Sequence, residues 1–382
     1  MTTPTDAPHP PAASSMPIMG PLSMISRIAI VVTLVLCALA IGFELLGGGA
    51  NETLVFILAA GGILGLAWIV GLSTERLGAI TGPQVGGILN ATFGNIAELI
   101  IAFFALQAGL IDVVKASITG SIIGNLLFVL GASVFLGGWR NGTQHFSRQV
   151  AGSNAALLVL AAVGLFIPAV FAASTARPTE GNLVQESVFV SLLLIAGYVA
   201  SLVYQFTNPA ETLGGHGPSE GHGGPAWTGR TAVFVLLVAA GLLAILSEIL
   251  VGAIEPFIET FHLSAFFVGV ILIPTIGNLA EHLVAVQLAF KNKMEFAMAV
   301  SFGSSLQVAL FVGPVLVLLG LVVGQPMDLV FEPLEVAAVG VAVGISALIA
   351  FDGESNWLEG ALLMLVYIIL AVSFFEFVGP RL

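Results

Sequence analysis

Charge is what this sequence has least of. Asp, Glu, Lys and Arg make up 8% of its 382 residues, against about 25% in a soluble domain. Hydrophobic residues make up 58%, and the mean hydropathy is +1.07. These values exclude a soluble enzyme, a disordered chain and a nucleic-acid binder. Basic residues are scarcer still, 10 against 22 acidic ones, and the net charge of −12 argues against a polyanionic partner. There is one cysteine, Cys37, inside an apolar run, so a disulfide framework is excluded and a thiolate metal site is disfavoured. Glycine is abundant, 45 residues, which suits close helix packing in lipid. The chain reads as a polytopic membrane protein.

A helix needs about 20 apolar residues to cross the hydrocarbon core. Eleven stretches qualify: 28–47, 52–71, 83–110, 113–137, 151–172, 184–206, 231–256, 264–290, 294–320, 330–350 and 358–378. Breakers such as Gly47-Gly48-Gly49, Gly82-Pro83 and Gln325-Pro326 separate them. No period-two alternation persists, which excludes a barrel. Residues 1–26 lack a basic n-region and read as a disordered tail rather than a signal peptide. Residues 27–49 are then an extra helix, 50–206 a first five-helix half, 207–230 a cytoplasmic linker and 231–382 a second half. His216 and His222, in the Gly-rich linker, read as flexible chain rather than a metal site. With the N-terminus in the cytoplasm, Arg27, Arg76, Arg140, Arg148, Arg230, Lys291 and Lys293 fall inside. Lys115, Arg177 and Arg381 fall outside or near it, as does the C-terminus.

Two stretches repeat each other. Gly94-Asn95-Ile96-Ala97-Glu98 returns as Gly277-Asn278-Leu279-Ala280-Glu281, an offset of 277 − 94 = 183. Aligned without a gap, 94–137 and 277–320 share 14 of 44 positions. Five spans separate the copies, so they cross the membrane in opposite directions. Inverted repeats are the mark of secondary transporters, with the site at the midplane. The fold class is therefore all-α, with eleven transmembrane helices: an extra first helix and two inverted-topology five-helix repeats.

Ionisable groups inside a span are costly and point to function. Glu98 and Glu281 lie deep in apolar helices, with Asn95 and Asn278 three residues earlier on the same faces. His282 adds a third polar group, placed to share a face with Asn278 and set its orientation. On the following helices, Ser117, Ser121 and Asn125 share one face, and Ser301, Ser304 and Ser305 line another, with Gln307 nearby. This oxygen-rich set suits a hard cation such as Ca²⁺, Mg²⁺ or Mn²⁺. Glu75 and Glu248 flank the site helices and read as ion-access residues. The 28 residues of 83–110 would run about 42 Å as one helix, so tilt or a break at Gly94 is expected. Pro274 and Gly277 suggest the same for the second copy.

These motifs resemble those of the calcium/proton exchangers of the calcium/cation antiporter superfamily. Gly94-Asn95-x-x-Glu98 and Gly277-Asn278-x-x-Glu281-His282 carry the resemblance, with Gly120-Ser121 and Gly303-Ser304-Ser305-Leu306-Gln307 after them, and it covers about 75–380. Gly124 departs from it, standing where members often carry Ser, and the linker lacks a dense acidic run. The resemblance implies an antiporter of the bacterial cell membrane, with Glu98 and Glu281 as the central cation and proton carriers. Two carboxylates in low dielectric resist being ionised together, so such a site holds two protons or one divalent ion. His282 is expected to sense protons. The implied substrates are Ca²⁺ and protons, with lipid around the chain, no cofactor, no enzymatic activity and no nucleic acid; a homo-oligomer is left open. The rival readings are a sodium/calcium exchanger of the same superfamily and, more remotely, an intramembrane metalloprotease. Against the latter, no His-Glu-x-x-His is present.

Overall fold

The computed structural model describes residues 24–46, 51–82, 86, 89, 92–174, 179–208 and 227–376. Its long elements are helices: α1 (Met24–Leu45), α2 (Glu52–Thr81), α3 (Ile96–Gln107) and α4 (Ile111–Asn141) come first. A two-residue strand β1 (Gln144–His145) leads to α5 (Arg148–Ser174) and α6 (Glu180–Thr207). The second half holds α7 (Gly229–Gly252), the short α8 (Ile254–Phe261), α9 (Ala265–Phe290), α10 (Met294–Val323) and α11 (Pro333–Asp352). Strand β2 (Glu354–Ser355) pairs antiparallel with β1, and α12 (Trp357–Glu376) ends the described chain.

Ten of the described helices are long and apolar enough to cross a membrane. The eleventh expected span is divided. Its second part is α3, whose 12 residues cover only about 18 Å. A turn at Gly94 and Asn95 precedes it, where the break was expected. The second copy behaves differently: α9 continues through Gly277, so the break expected there is corrected to a π turn at Val268–Leu272. Pro274 cannot donate to the carbonyl four residues back, and the wider turn absorbs that loss. Two more π turns, Gly124–Val129 in α4 and Val308–Val312 in α10, lie within one residue of the repeat offset.

The packing shows the inversion. Phe56, Gly62 and Arg76 of α2 meet Phe257, Leu246 and Trp227 in turn, so α2 and α7, the first helices of the two halves, run antiparallel. Gly120, Asn125 and Gly137 of α4 meet Val270, His282 and Ala289, so α4 and α9 run parallel. Helix α4 lies at the centre and is the most buried span.

Each end of the bundle carries a clasp. At one, Lys115 Nζ pairs with Asp328 at 2.5 Å and donates to the Val330 carbonyl at 3.0 Å, while Leu329 N donates to Ser187 Oγ at 2.8 Å. At the other, Gln144 Nε2 donates to the Ala289 carbonyl at 2.9 Å beside the β1–β2 pair. These contacts alter the reading of two cations. Arg76 is not a loop charge, because α2 continues to Thr81; it is buried, with Trp227 5.9 Å from its guanidinium. Lys115 is held in an ion pair. Segment 1–23 and most of the linker, including His216 and His222, lie outside the described residues.

Candidate functional site

Both motifs meet at the centre of the bundle. Asn95 is the N-cap of α3, yet its side chain makes no capping bond. It is spent across the bundle instead: Nδ2 donates to Gln307 Oε1 at 2.7 Å, and Oδ1 accepts from Ser304 Oγ at 2.9 Å. The repeat-related pair is Asn278 and Ser121, since 95 + 183 = 278 and 121 + 183 = 304; Asn278 Nδ2 donates to Ser121 Oγ at 3.3 Å. Gly277 lies directly on the Glu98 side chain: a Cβ there would stand 3.0 Å from its Cγ. Absence of a side chain at 277 is therefore what lets the second motif approach the first carboxyl.

His282 is placed differently from expectation. Its Nε2 bonds Asn125 Oδ1 at 3.0 Å rather than reaching Asn278. Asn125 Nδ2 donates onward to Ser304 Oγ at 3.0 Å. A directed chain thus runs His282, Asn125, Ser304, Asn95, Gln307, each donating to the next. Ser304 also lies beside the Glu281 carboxyl.

Four acceptor oxygens at the centre take no part in these bonds. Both oxygens of Glu98, Oε2 of Glu281 and Oδ1 of Asn278 are buried without a hydrogen-bond partner. Glu98 and Asn278 are 7% and 1% exposed, and the two carboxyls interact electrostatically. Buried acceptors without donors are costly. A divalent cation or protons on the carboxylates would satisfy them, and oxygen is the donor type a hard cation takes.

The sequence profile of the sodium/calcium exchanger protein family matches residues 51–207 and 231–376. This chain belongs to that family. Among members, a Ca²⁺/H⁺ antiporter of Synechocystis is 45% identical over 364 residues, spanning 90% of this chain and 96% of the relative. The Ca²⁺/H⁺ antiporter ChaA of Bacillus subtilis is 43% identical over 323 residues, 82% and 89% of the two chains. Among solved structures, native YfkE superposes with a TM-score of 0.78 at 36% identity, over 91% of this chain and all of its own. An H⁺/Ca²⁺ exchanger structure, CAX, matches in fold, with a TM-score of 0.71 at 15% identity over 92% of both chains.

Other residues singled out in this exchanger-family chain take no part in the hydrogen-bond chain at the centre, although Ser117 lines a small pocket with Glu98 and Ser121. Ser301 and Ser305 donate to carbonyls of their own helix, those of Ala297 and Ser301, and Ser117 donates to that of Val114. Glu75 and Glu248 are exposed. Because α2 and α7 are antiparallel, they stand at opposite ends of the bundle and cannot flank one mouth. One buried acid escaped the sequence reading: Glu335, 2% exposed, accepts from Thr119 Oγ1 at 2.5 Å and from Glu332 N at 3.0 Å. Its signal was the Glu332-Pro333-Leu334-Glu335 capping box, which reads as a helix start.

Proposed function

We propose that this chain is a secondary active antiporter that exchanges Ca²⁺ for protons by alternating access. The observation that carries the reading is the convergence of unpaired buried oxygens from two inverted motifs: Glu98, Glu281 and Asn278. Relatives named Ca²⁺/H⁺ antiporter support the choice of substrates. With the site empty, two ionised carboxylates would face each other in low dielectric. Two protons or one Ca²⁺ relieve the same charge. Those loaded states can cross and the empty one cannot, which is the requirement for exchange.

In this reading Glu98 and Glu281 bind the ion or the protons, and Asn278 adds a neutral oxygen. Asn95, Asn125, Ser304 and Gln307 hold the frame, and Ser121 fixes Asn278. His282 modulates affinity through its charge. Glu75 and Glu248 serve access from different ends. The N-terminus and the 207–230 linker face the cytoplasm and the C-terminus faces outside, in a bacterial cell membrane. The two five-helix halves are the moving units, and α1, packed on α2 through Thr33 and Cys37, belongs to neither repeat.

The test is uptake of radiolabelled calcium into proteoliposomes carrying an imposed pH gradient, with and without sodium. Uptake driven by the proton gradient alone is expected. Dependence on a sodium gradient would instead favour the sodium/calcium exchanger.

A further inference from the structure

Thr119 has one hydroxyl proton and two oxygens that can take it. Its Oγ1 lies 2.8 Å from the Lys115 carbonyl, one turn back in α4, and 2.5 Å from Glu335 Oε1. Both are hydrogen-bond distances. The carbonyl has no proton to offer, so both bonds exist together only when the Glu335 carboxyl supplies its own. Ser73, Ser301 and Ser305 also place their protons on a carbonyl four residues back. With Thr119 bonded in that way, its lone pairs face the carboxyl and need a donor. With the carboxyl ionised, the hydroxyl turns to Oε1 and leaves the Lys115 carbonyl. Glu335 thus has a partner in either protonation state.

Helix capping alone does not need this arrangement. The capping bond uses the other oxygen, Oε2, which accepts from Glu332 N. Oε1 is left for Thr119, on a different helix. Positive charge is short here. Lys115 and Glu332 act on Glu335 electrostatically, and Glu186 of α6 acts on Asp328. Lys115 is itself engaged by Asp328 and the Val330 carbonyl. Helix α5, packed along α11, brings no titratable group to this end, since its one charged residue, Arg148, bonds the Phe351 carbonyl at the other. One ammonium therefore serves four carboxyls, and a proton is the remaining source of positive charge for the innermost. Glu335 is buried, one turn inside the exposed Glu332.

We propose that Glu335 is a second proton-binding site, separate from Glu98 and Glu281. It takes one proton from water at the Lys115 end onto Oε1 and releases it to the same side. While the proton is bound, the carboxyl donates to Thr119 Oγ1 and Thr119 donates to the Lys115 carbonyl. When the proton leaves, Thr119 keeps its own proton and turns it to Oε1. The bound proton neutralises the innermost carboxyl and leaves Lys115 to Asp328; its loss sets a second carboxylate in competition for that ammonium and loosens the clasp. The partners of Glu335 are Thr119, Lys115 and Glu332, and none of them bonds the central carboxyls, so this inference stands independently of the exchange reaction.

The test is infrared difference spectroscopy of the full chain in lipid nanodiscs as the pH is raised from about 5 to about 9, which spans neutrality. The readout is the carbonyl stretch of a protonated carboxyl. In Glu98→Gln/Glu281→Gln, which removes the central acids, a protonated-carboxyl band should be present at low pH and lost at high pH. Adding Glu335→Gln should abolish it, and the bands of exposed acids cancel between the two variants. Thr119→Val should shift its frequency, because the acid loses its acceptor, and Thr119→Ser should restore it. A Glu335-dependent band missing at every pH would mean an ionised cap, and one that persists at every pH a fixed neutral acid; either overturns the proposal. If Glu335→Gln does not fold, the shift in Thr119→Val assigns the band, and an unmoved band overturns the proposal. In the wild type, calcium should leave this band in place. Its loss on adding calcium would put Glu335 in the exchange site and overturn the separation, whatever becomes of the Glu98 and Glu281 bands.

Discussion

Asn95 and Asn278 hold equivalent places in the two repeats but differ in what their amide oxygens do. Asn95 Oδ1 accepts from Ser304, whereas Asn278 Oδ1 accepts from nothing. The proposed cation site is therefore asymmetric, with Glu98, Glu281 and Asn278 supplying the oxygens that no hydrogen bond occupies. Glu98→Gln and Glu281→Gln keep the shape of the side chain and lose the exchangeable charge. Each is expected to reduce proton-driven calcium uptake to the liposome background at equal reconstitution, and near-normal uptake in either would refute the assignment. For His282 the informative change is Gln, which can still donate to Asn125 but cannot become charged. A protonated imidazole repels Ca²⁺, so wild-type affinity should fall as pH drops. In His282→Gln, calcium titrations at two pH values should show a flatter dependence and an unchanged affinity at the higher pH. An equal loss at both would make His282 a structural support. The acids were legible in the sequence because charge is rare and costly in a span. Their partners were not: helical spacing says which residues share a face, but not that His282 meets Asn125 across a seam.

At the scale of elements, the irregular turns decide the geometry. The Gly94–Asn95 turn starts α3 beside the site and frees Asn95 to reach α10. Lack of a side chain at Gly120 lets α4 lie on the α9 backbone at Val270. Gly120→Ala would drive a methyl into main-chain atoms that cannot rotate away. A marked fall in detergent melting temperature is expected, together with weakened transport, and an unchanged melting curve would show that the two helices are not held so closely. Glu335 makes a separate prediction. Thr119→Val removes the only side-chain donor shown to its carboxyl, leaving a buried acceptor unpaired at a cost of about 1–3 kcal/mol. The expected readout is lower thermal stability with calcium affinity retained, because Glu335 lies outside the site. The turn at Gly94 could be anticipated from the excess length of span 83–110. The π turns were not read from the sequence: Pro274 and Pro314 each follow one by two residues, yet a proline within a span equally suits a kink or a break, and the turn in α4 has no proline.

For the whole molecule, antiparallel α2 and α7 require the two halves to be inverted, which the odd number of spans between the motifs also demands. The proposed orientation places the linker and the C-terminus on opposite faces. In a Cys37→Ser background, cysteines introduced singly at Gly217 and Leu382 should react with an impermeant thiol reagent from opposite sides of oriented vesicles. Reaction from the same side would refute the orientation. The two clasps, Lys115–Asp328 at one end and Gln144–Ala289 at the other, tie the first half to the second beyond the site.

The sequence by itself determined the solvent, the repeat and the two acids. Some 8% charged residues leave a bilayer as the only medium in which this chain folds, and a matched Asn and Glu at a fixed offset announce a shared site. These are properties of composition and spacing, which exist before any contact forms. The tertiary structure decided which oxygens stay unpaired, because that depends on where every donor in the neighbourhood is spent. It set the Ser301 and Ser305 hydroxyl protons on carbonyls of their own helix, paired His282 with Asn125, and opened a cavity at Gly124. Each outcome follows from helices meeting at a particular rotation and distance, and a linear spacing carries neither.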